Sequence, residues 1–247
     1  MALVKTTWQD VNRIACLIVG QAGTGKTSLI RTIRGQKYNP DTNEWDLPYE
    51  PETVCILSAE SGLLCIKDLL LANEVDSYNI SSLAEFNEAA ELLANGQMKD
   101  GNGQLYQWIF IDSLTEIATK CAEEKQREYT NKKDSFKLWG DYNQEMTAVI
   151  KKFRDMLQYN VVFTCLEKVT EGSIIPDLPG TTLNSRITSY FDEVLHITKQ
   201  PNKGGKIISI FTTKWPVGLA KDRSGKLSDV TDDANLLEIK AEILKNN

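Results

Sequence analysis

Short apolar runs rich in β-branched residues alternate along this chain with longer segments whose apolar positions recur at helical spacing. The runs at 13–19, 53–58, 107–111, 161–166, 193–198 and 206–212 read as strands, with a weaker one at 78–80. Helical periodicity predicts helices at 26–33, 63–73, 82–95, 114–128, 139–157 and 234–244. The third of these has a start signal, since Ser81-Ser82 is followed by Glu85, a hydroxyl cap with a carboxylate three residues on. Strands that alternate with helices predict an α/β fold, a mostly parallel sheet flanked by crossover helices. Between the last two runs, Gln200-Pro-Asn-Lys-Gly-Gly205 supplies turn residues, which predicts a C-terminal antiparallel β-hairpin at one sheet edge. The stretches 38–51 and 167–185 are rich in proline, glycine and other turn formers and are predicted to be long surface loops.

Composition narrows the class without naming a chemistry. The chain has 247 residues, 41% hydrophobic and 25% charged, which suits one globular domain over 1–247 and excludes a disordered or fibrous chain. Its longest apolar run, Ile14-Ala-Cys-Leu-Ile-Val19, is too short to cross a bilayer, and its start has no signal-peptide pattern, so a cytoplasmic location without a membrane partner is expected. Five cysteines, odd in number and without C-x-x-C spacing, are expected to be reduced core residues. With His196 as its one histidine, read as a strand residue, the chain is expected to hold no structural metal. A net charge of −6 gives no global pull towards nucleic acid, so DNA contact requires a local basic patch.

One segment carries specific chemistry. Gly20-Gln21-Ala22-Gly23-Thr24-Gly25-Lys26-Thr27, with Ser28 behind it, follows an apolar strand and opens a predicted helix. This is the context that separates a phosphate-binding P-loop from a chance match. Its glycines let the backbone curl so that successive N–H groups face an anion, and the following helix would present its positive end to it. Lys26 is expected to reach the β and γ phosphates of ATP, and the Thr27 hydroxyl to ligate Mg2+. Asp112 ends a second apolar strand and is expected in the same crevice, on the magnesium side. It also fits a helix cap, as does Ser113. Serine follows Asp112, so a water-activating base has to come from elsewhere. Glu60, at the end of Val54-Cys-Ile-Leu-Ser-Ala-Glu60, is the first candidate, and Glu116, one helical turn beyond Asp112, is its competitor.

These residues resemble the RecA recombinase core, and the chain as a whole resembles the short phage RecA-core proteins of the Sak type, which are single-strand annealing ATPases. The resemblance rests on Ala59-Glu60-Ser61-Gly62-Leu63, Ile111-Asp112-Ser113-Leu114-Thr115-Glu116, Trp139-Gly140, Val162-Phe163-Thr164-Cys165-Leu166-Glu167 and Ala220-Lys221-Asp222-Arg223-Ser224-Gly225. It implies a RecA-like P-loop NTPase core in which Glu60 acts as base. Lys221 and Arg223 would act in trans on a neighbour's γ phosphate, so that a ring or filament completes the active site; a solvated charged turn explains the same residues. Glu167 would stand where the family senses the γ phosphate, although glutamate replaces the family's glutamine, and a plain loop acid fits as well.

The implied partners are single-stranded DNA and a single-strand-binding protein, in the host cytoplasm if the chain is phage-encoded. The loops that would meet DNA are 128–138, with Tyr129, Lys132, Lys133, Phe136 and Lys137, and 168–186, with Lys168 and Arg186. Cations interleaved with rings suit a stacked single strand; solvated helix-end lysines and packing aromatics explain the same letters. Two other classes stay open. A P-loop kinase would need an acceptor pocket and an arginine-bearing lid, whereas a nucleotide-controlled assembly module would bind ATP with little turnover.

Overall fold

Strand β1 (Ala15–Gly20) is buried along its whole length and forms the axis of the main sheet. It pairs in parallel with β7 (Asn160–Thr170) on one side and β9 (Glu193–Pro201) on the other. Beyond β7 come β6 (Trp108–Asp112), β4 (Val54–Ser58) and β5 (Asp76–Asn79), all parallel. The far side of β9 carries two antiparallel neighbours, β10 (Ile207–Thr212) along its second half and β11 (Lys221–Asp222) at its start. The structure is a computed structural model that describes residues 12–60, 62–129, 134–214 and 219–245.

The two faces of the sheet are set by the period of two along each strand. Leu17 and Val19 of β1, with Leu57, Ile109, Ile111 and Phe163, face one core, closed by α3 (Leu83–Ala94), α4 (Leu114–Glu128), α5 (Ser135–Arg154) and α6 (Thr181–Tyr190). Cys16 and Ile18, with Ile56, Trp108, Phe110 and Val162, face the other, closed by α1 (Leu29–Ile33), α2 (Lys67–Leu71) and α7 (Leu236–Leu244). The chain is therefore an α/β fold with a mixed sheet flanked by helices, and its last long strands form the expected hairpin, turned at Asn202 and Gly205. Among the described residues no helix is long and apolar enough to cross a membrane.

Several elements differ from the periodicity reading. The first helix begins at Leu29, three residues after the predicted start, and Lys26 to Ser28 form a turn whose carbonyls accept from Leu29, Ile30 and Arg31. The stretch 38–51 contains most of a separate hairpin, β2 (Lys37–Asn39) with β3 (Glu44–Asp46), closed by Asn43 at φ 60° and by Tyr38 packed 5.5 Å from Trp45. The stretch 167–185 is no loop: β7 runs on to Thr170, turns at Glu171 and Gly172, and returns as β8 (Ser173–Pro176) before α6. Pairing with β8, invisible in local periodicity, carries these strands past their apolar cores. Cysteines 16, 55, 121 and 165 are buried and free, but Cys65 is exposed.

Glu193 starts β9 opposite Asp222 and is 2% exposed. Burial, with the neighbouring Asp222 and Asp192 carboxylates, pushes its carboxyl from an ordinary 4.5 up to about 8. The folded protein therefore keeps a proton that the unfolded chain releases, so this group's contribution to stability falls as pH rises from 4.5 to about 8. Glu193→Gln is expected to flatten that dependence and to raise stability at pH 9 by about 1–3 kcal/mol. Thermal unfolding of both proteins between pH 5 and 9 checks this, and a variant that loses stability relative to wild type on the alkaline side contradicts it.

Candidate nucleotide site

Gly20 ends β1 against the carbonyl of Ile197, which a Cβ would meet at 2.5 Å, so no larger residue fits there. The loop then curls through Gly23 at φ 77° and Gly25 at φ 99°, conformations that favour glycine. Thr24 closes the curl, its N–H and hydroxyl both donating to the Gln21 carbonyl, at 3.4 and 2.9 Å. Among the described residues the amides of Gly25, Lys26 and Thr27 donate to no carbonyl, so a bank of donors remains for an anion. With α1 only five residues long, an anion entering here would meet these loop amides and not a long helix dipole. Ala22 and Gln21 form its exposed outer rim, and Ser28 follows at the start of α1.

The Lys26 ammonium lies in this curl, donating to the carbonyls of Gly20 at 2.8 Å and Gln21 at 2.7 Å. Burial lowers its pKa, and Asp112, Cys165, Glu60 and Glu167 draw it back up. Phosphate oxygens entering the loop would replace two neutral carbonyls with anionic acceptors, which stabilises the charged form further.

Asp112 stands at the end of β6 and is 3% exposed. Its Oδ2 accepts from Thr27 Oγ1 at 2.7 Å and its Oδ1 from Thr164 Oγ1 at 2.5 Å. Burial pushes its carboxyl up from the ordinary range, while the two hydroxyls and Lys26 hold it down. A buried carboxylate touching a threonine hydroxyl at the mouth of an anion loop suits a hard divalent cation, which needs few protein oxygens when phosphate and water supply the rest. The donor set thus fits Mg2+.

The register that pairs Ser58 with Asp112 makes β4 and β6 neighbours, so Glu60, two residues on, reaches the same edge. The Ser113 hydroxyl donates to Glu60 Oε1 and also accepts from the Glu116 amide at 3.3 Å, capping α4. The serine that replaces an acid after Asp112 therefore orients the exposed carboxylate of Glu60. Glu116 occupies the first turn of α4. Sequence reading missed Ser113 and Thr164 as members of the site; the one available signal for Ser113 was its place three residues before Glu116, a capping pattern.

His196 and Glu167 meet beneath the loop. Leu166 is in register with Gly20 and His196 with Val19. This brings His196 Nε2 to 2.6 Å from Glu167 Oε2, with the two side chains 3% and 6% exposed. A strand residue and a loop acid in the sequence are thus a buried hydrogen-bonded pair. No local signal reveals it, because it depends on β7 and β9 flanking β1.

Lys221 and Arg223 lie at the opposite end of the sheet from this loop, since β11 pairs with the first residues of β9. The Lys221 ammonium donates to the carbonyls of Thr188, at 2.8 Å, and Phe191, tying down the end of α6. Arg223 is exposed and paired with Asp192. Of the candidate DNA contacts, Lys132 and Lys133 lie outside the described residues. Lys137 is exposed and sits over the Tyr129 ring at 5.5 Å, beside the fully exposed Phe136. Lys168 pairs with Asp177 at 3.0 Å on the β7–β8 hairpin, which projects past Gly20, and Arg186 is exposed on α6.

Comparison with curated proteins finds no match. A family model described as an AAA domain matches residues 12–224, from just before β1 to just after β11. The anion-binding curl, its lysine and the buried acid two strands away agree with that match: the chain belongs to the AAA domain family and is a nucleotide-binding P-loop NTPase.

Proposed function

We propose that this chain is a RecA-like ATPase that assembles on single-stranded DNA and promotes annealing or strand exchange of the phage-recombination kind. The observation that supports the reading is a carboxylate on the strand adjacent to that of Asp112, Glu60 held by Ser113; in this reading it serves as the base, in place of an acid directly after Asp112. In this reading the loop from Gly20 to Ser28 binds the triphosphate of ATP, Lys26 moves from its carbonyls to the β and γ oxygens, and Glu60 takes a proton from water. The water oxygen bonds to the γ phosphorus as the bond to the β-bridging oxygen breaks, releasing ADP and phosphate. Thr27 and Asp112 would hold Mg2+, which supplies positive charge against the phosphate oxygens. Arg223 from a neighbouring copy completes the site, with Lys221 fixing the segment that carries it. The whole is one domain with a trans-assembled active site.

Support for the DNA side is the placement of cationic segments at the P-loop edge, where Lys168 on its hairpin and, on α5, Phe136 and Lys137 are exposed or half-exposed. Lys132, Lys133 and Arg186 complete the proposed contacts, and a single-strand-binding protein is the proposed loading partner. ATP turnover with and without single-stranded DNA tests the reading. Stimulation of about tenfold is expected, weakening steeply with added salt as counterions compete. Turnover indifferent to single-stranded DNA at low salt removes the DNA part and leaves an ATP-driven assembly protein.

A further inference from the structure

Glu60 lies two residues past the end of β4 and is itself exposed, but the two peptide units that flank its Cα are both pinned. The Ala59 carbonyl accepts from the Lys120 ammonium at 2.8 Å, and the Glu60 carbonyl from the Ser58 hydroxyl at 2.8 Å. Because each peptide unit is planar, fixing its oxygen limits rotation of the whole unit, and fixing both sets the direction of the Cα–Cβ bond between them. The Ser113 hydroxyl then holds the carboxylate at the far end of that side chain.

Lys120 comes from α4, seven residues after the capping Ser113, so the two lie on one face of the helix, two turns apart. The same ammonium donates to the Ile80 carbonyl at 3.0 Å, just past the end of β5. It thus clamps the ends of β4 and β5 together, where the Ile80 amide already donates to the Ser58 carbonyl at 2.8 Å. Among the described residues its acceptors are backbone carbonyls and not a carboxylate. A lysine that only covered a helix face would leave its ammonium in water; this one is half-buried and committed to the backbone next to Glu60. We propose that Lys120 is a positioning residue for ATP hydrolysis: by holding the Ala59 carbonyl it fixes the backbone from which Glu60 reaches the mouth of the P-loop. This rests on reading Glu60 as the base. A carboxylate displaced by about 1 Å loses up to about 100-fold in rate. Nucleotide binding, which the loop amides and Lys26 supply, needs no such placement.

Single-turnover hydrolysis and equilibrium binding of ATP, with Mg2+, on the full chain test this. Lys120→Met keeps the stem and removes the donors; turnover is expected to fall about 10- to 100-fold, with ATP affinity within about twofold of wild type. Lys120→Arg restores a cationic donor and is expected to recover turnover to within about fivefold of wild type. Lys125→Met is the structural control. That lysine, further along α4, pairs with Glu128 at 3.1 Å and Glu145 at 2.9 Å, and its loss should lower thermal stability with turnover unchanged. Added to Glu60→Gln, Lys120→Met should cost less than about twofold more, since the base it positions is already gone. A full further loss in that double variant, a matching loss in Lys125→Met, or wild-type turnover in Lys120→Met overturns the positioning role and leaves Glu60 as base. So does a fall in ATP affinity that equals the fall in turnover. Wild-type turnover in Glu60→Gln removes the base itself, and the proposal with it. If Lys120→Met does not fold, Ser58→Ala frees the other flanking peptide with a smaller change, and unaltered turnover there overturns the proposal.

Discussion

Glu60→Gln is expected to bind ATP as wild type does and to lose turnover by about 10²–10⁴-fold, the span general-base catalysis covers. The substitution is nearly isosteric, and glutamine can still accept from Ser113 Oγ, the bond that orients the side chain at the mouth of the loop. What it removes is the basic oxygen that would take the proton of the attacking water. It also removes a negative charge from the neighbourhood of Lys26 and Asp112, so ATP affinity should hold or rise. Glu116→Gln is the internal comparison. Its amide serves the α4 cap whatever its side chain, and turnover should stay within about twofold of wild type. Single-turnover hydrolysis and equilibrium binding of ATP measure the two quantities separately. Loss of turnover in Glu116→Gln with turnover retained in Glu60→Gln reverses the assignment.

Much of this was legible because it is local. The curl of the loop is written in Gly20, Gly23 and Gly25, whose backbone conformations and close contacts few other residues tolerate. The strands were readable from apolar runs because a sheet covered on both faces leaves no polar alternation to confuse with a loop. That Glu60 and Asp112 reach one edge of the sheet followed from both ending parallel strands, whereas their being neighbours there rests on the pairing of β4 with β6. What was not legible depends on which strand lies beside which. Thr164 reaches Asp112, and Glu167 reaches His196, because β7 separates β6 from β1 and β9 lies on its far side. The β2–β3 hairpin and the β7–β8 turn were read as loops because Pro40, Gly172 and their neighbours punctuate the pattern, while cross-strand pairing supplies order that local composition does not. Ser113 is the instructive case: read from sequence as a missing acid, it proves to hold the acid that comes from another strand.

Arg223→Ala is expected to lose turnover by about 10³-fold or more, in line with a finger residue, with little change in ATP affinity. The register of β11 with Glu193 and Val194 puts the Arg223 segment at the far end of the sheet from Gly20, so the side chain cannot serve its own loop. Its present partner is weakly held: Arg223 and Asp192 are 61% and 55% exposed. A pair so open to water is worth little and can exchange for a neighbour's phosphate. Lys221 differs, since burial lowers its pKa and two backbone carbonyls occupy its ammonium, which suits an anchor for the segment. The decisive measurement mixes Arg223→Ala with Lys26→Ala, each inactive alone. In a head-to-tail assembly about a quarter of the interfaces in an equal mixture join an intact loop to an intact Arg223, so turnover should recover towards that fraction of wild type. Mixed assemblies, verified by co-sedimentation on single-stranded DNA, that recover nothing would leave Arg223 as a surface ion pair and the catalytic site within one chain.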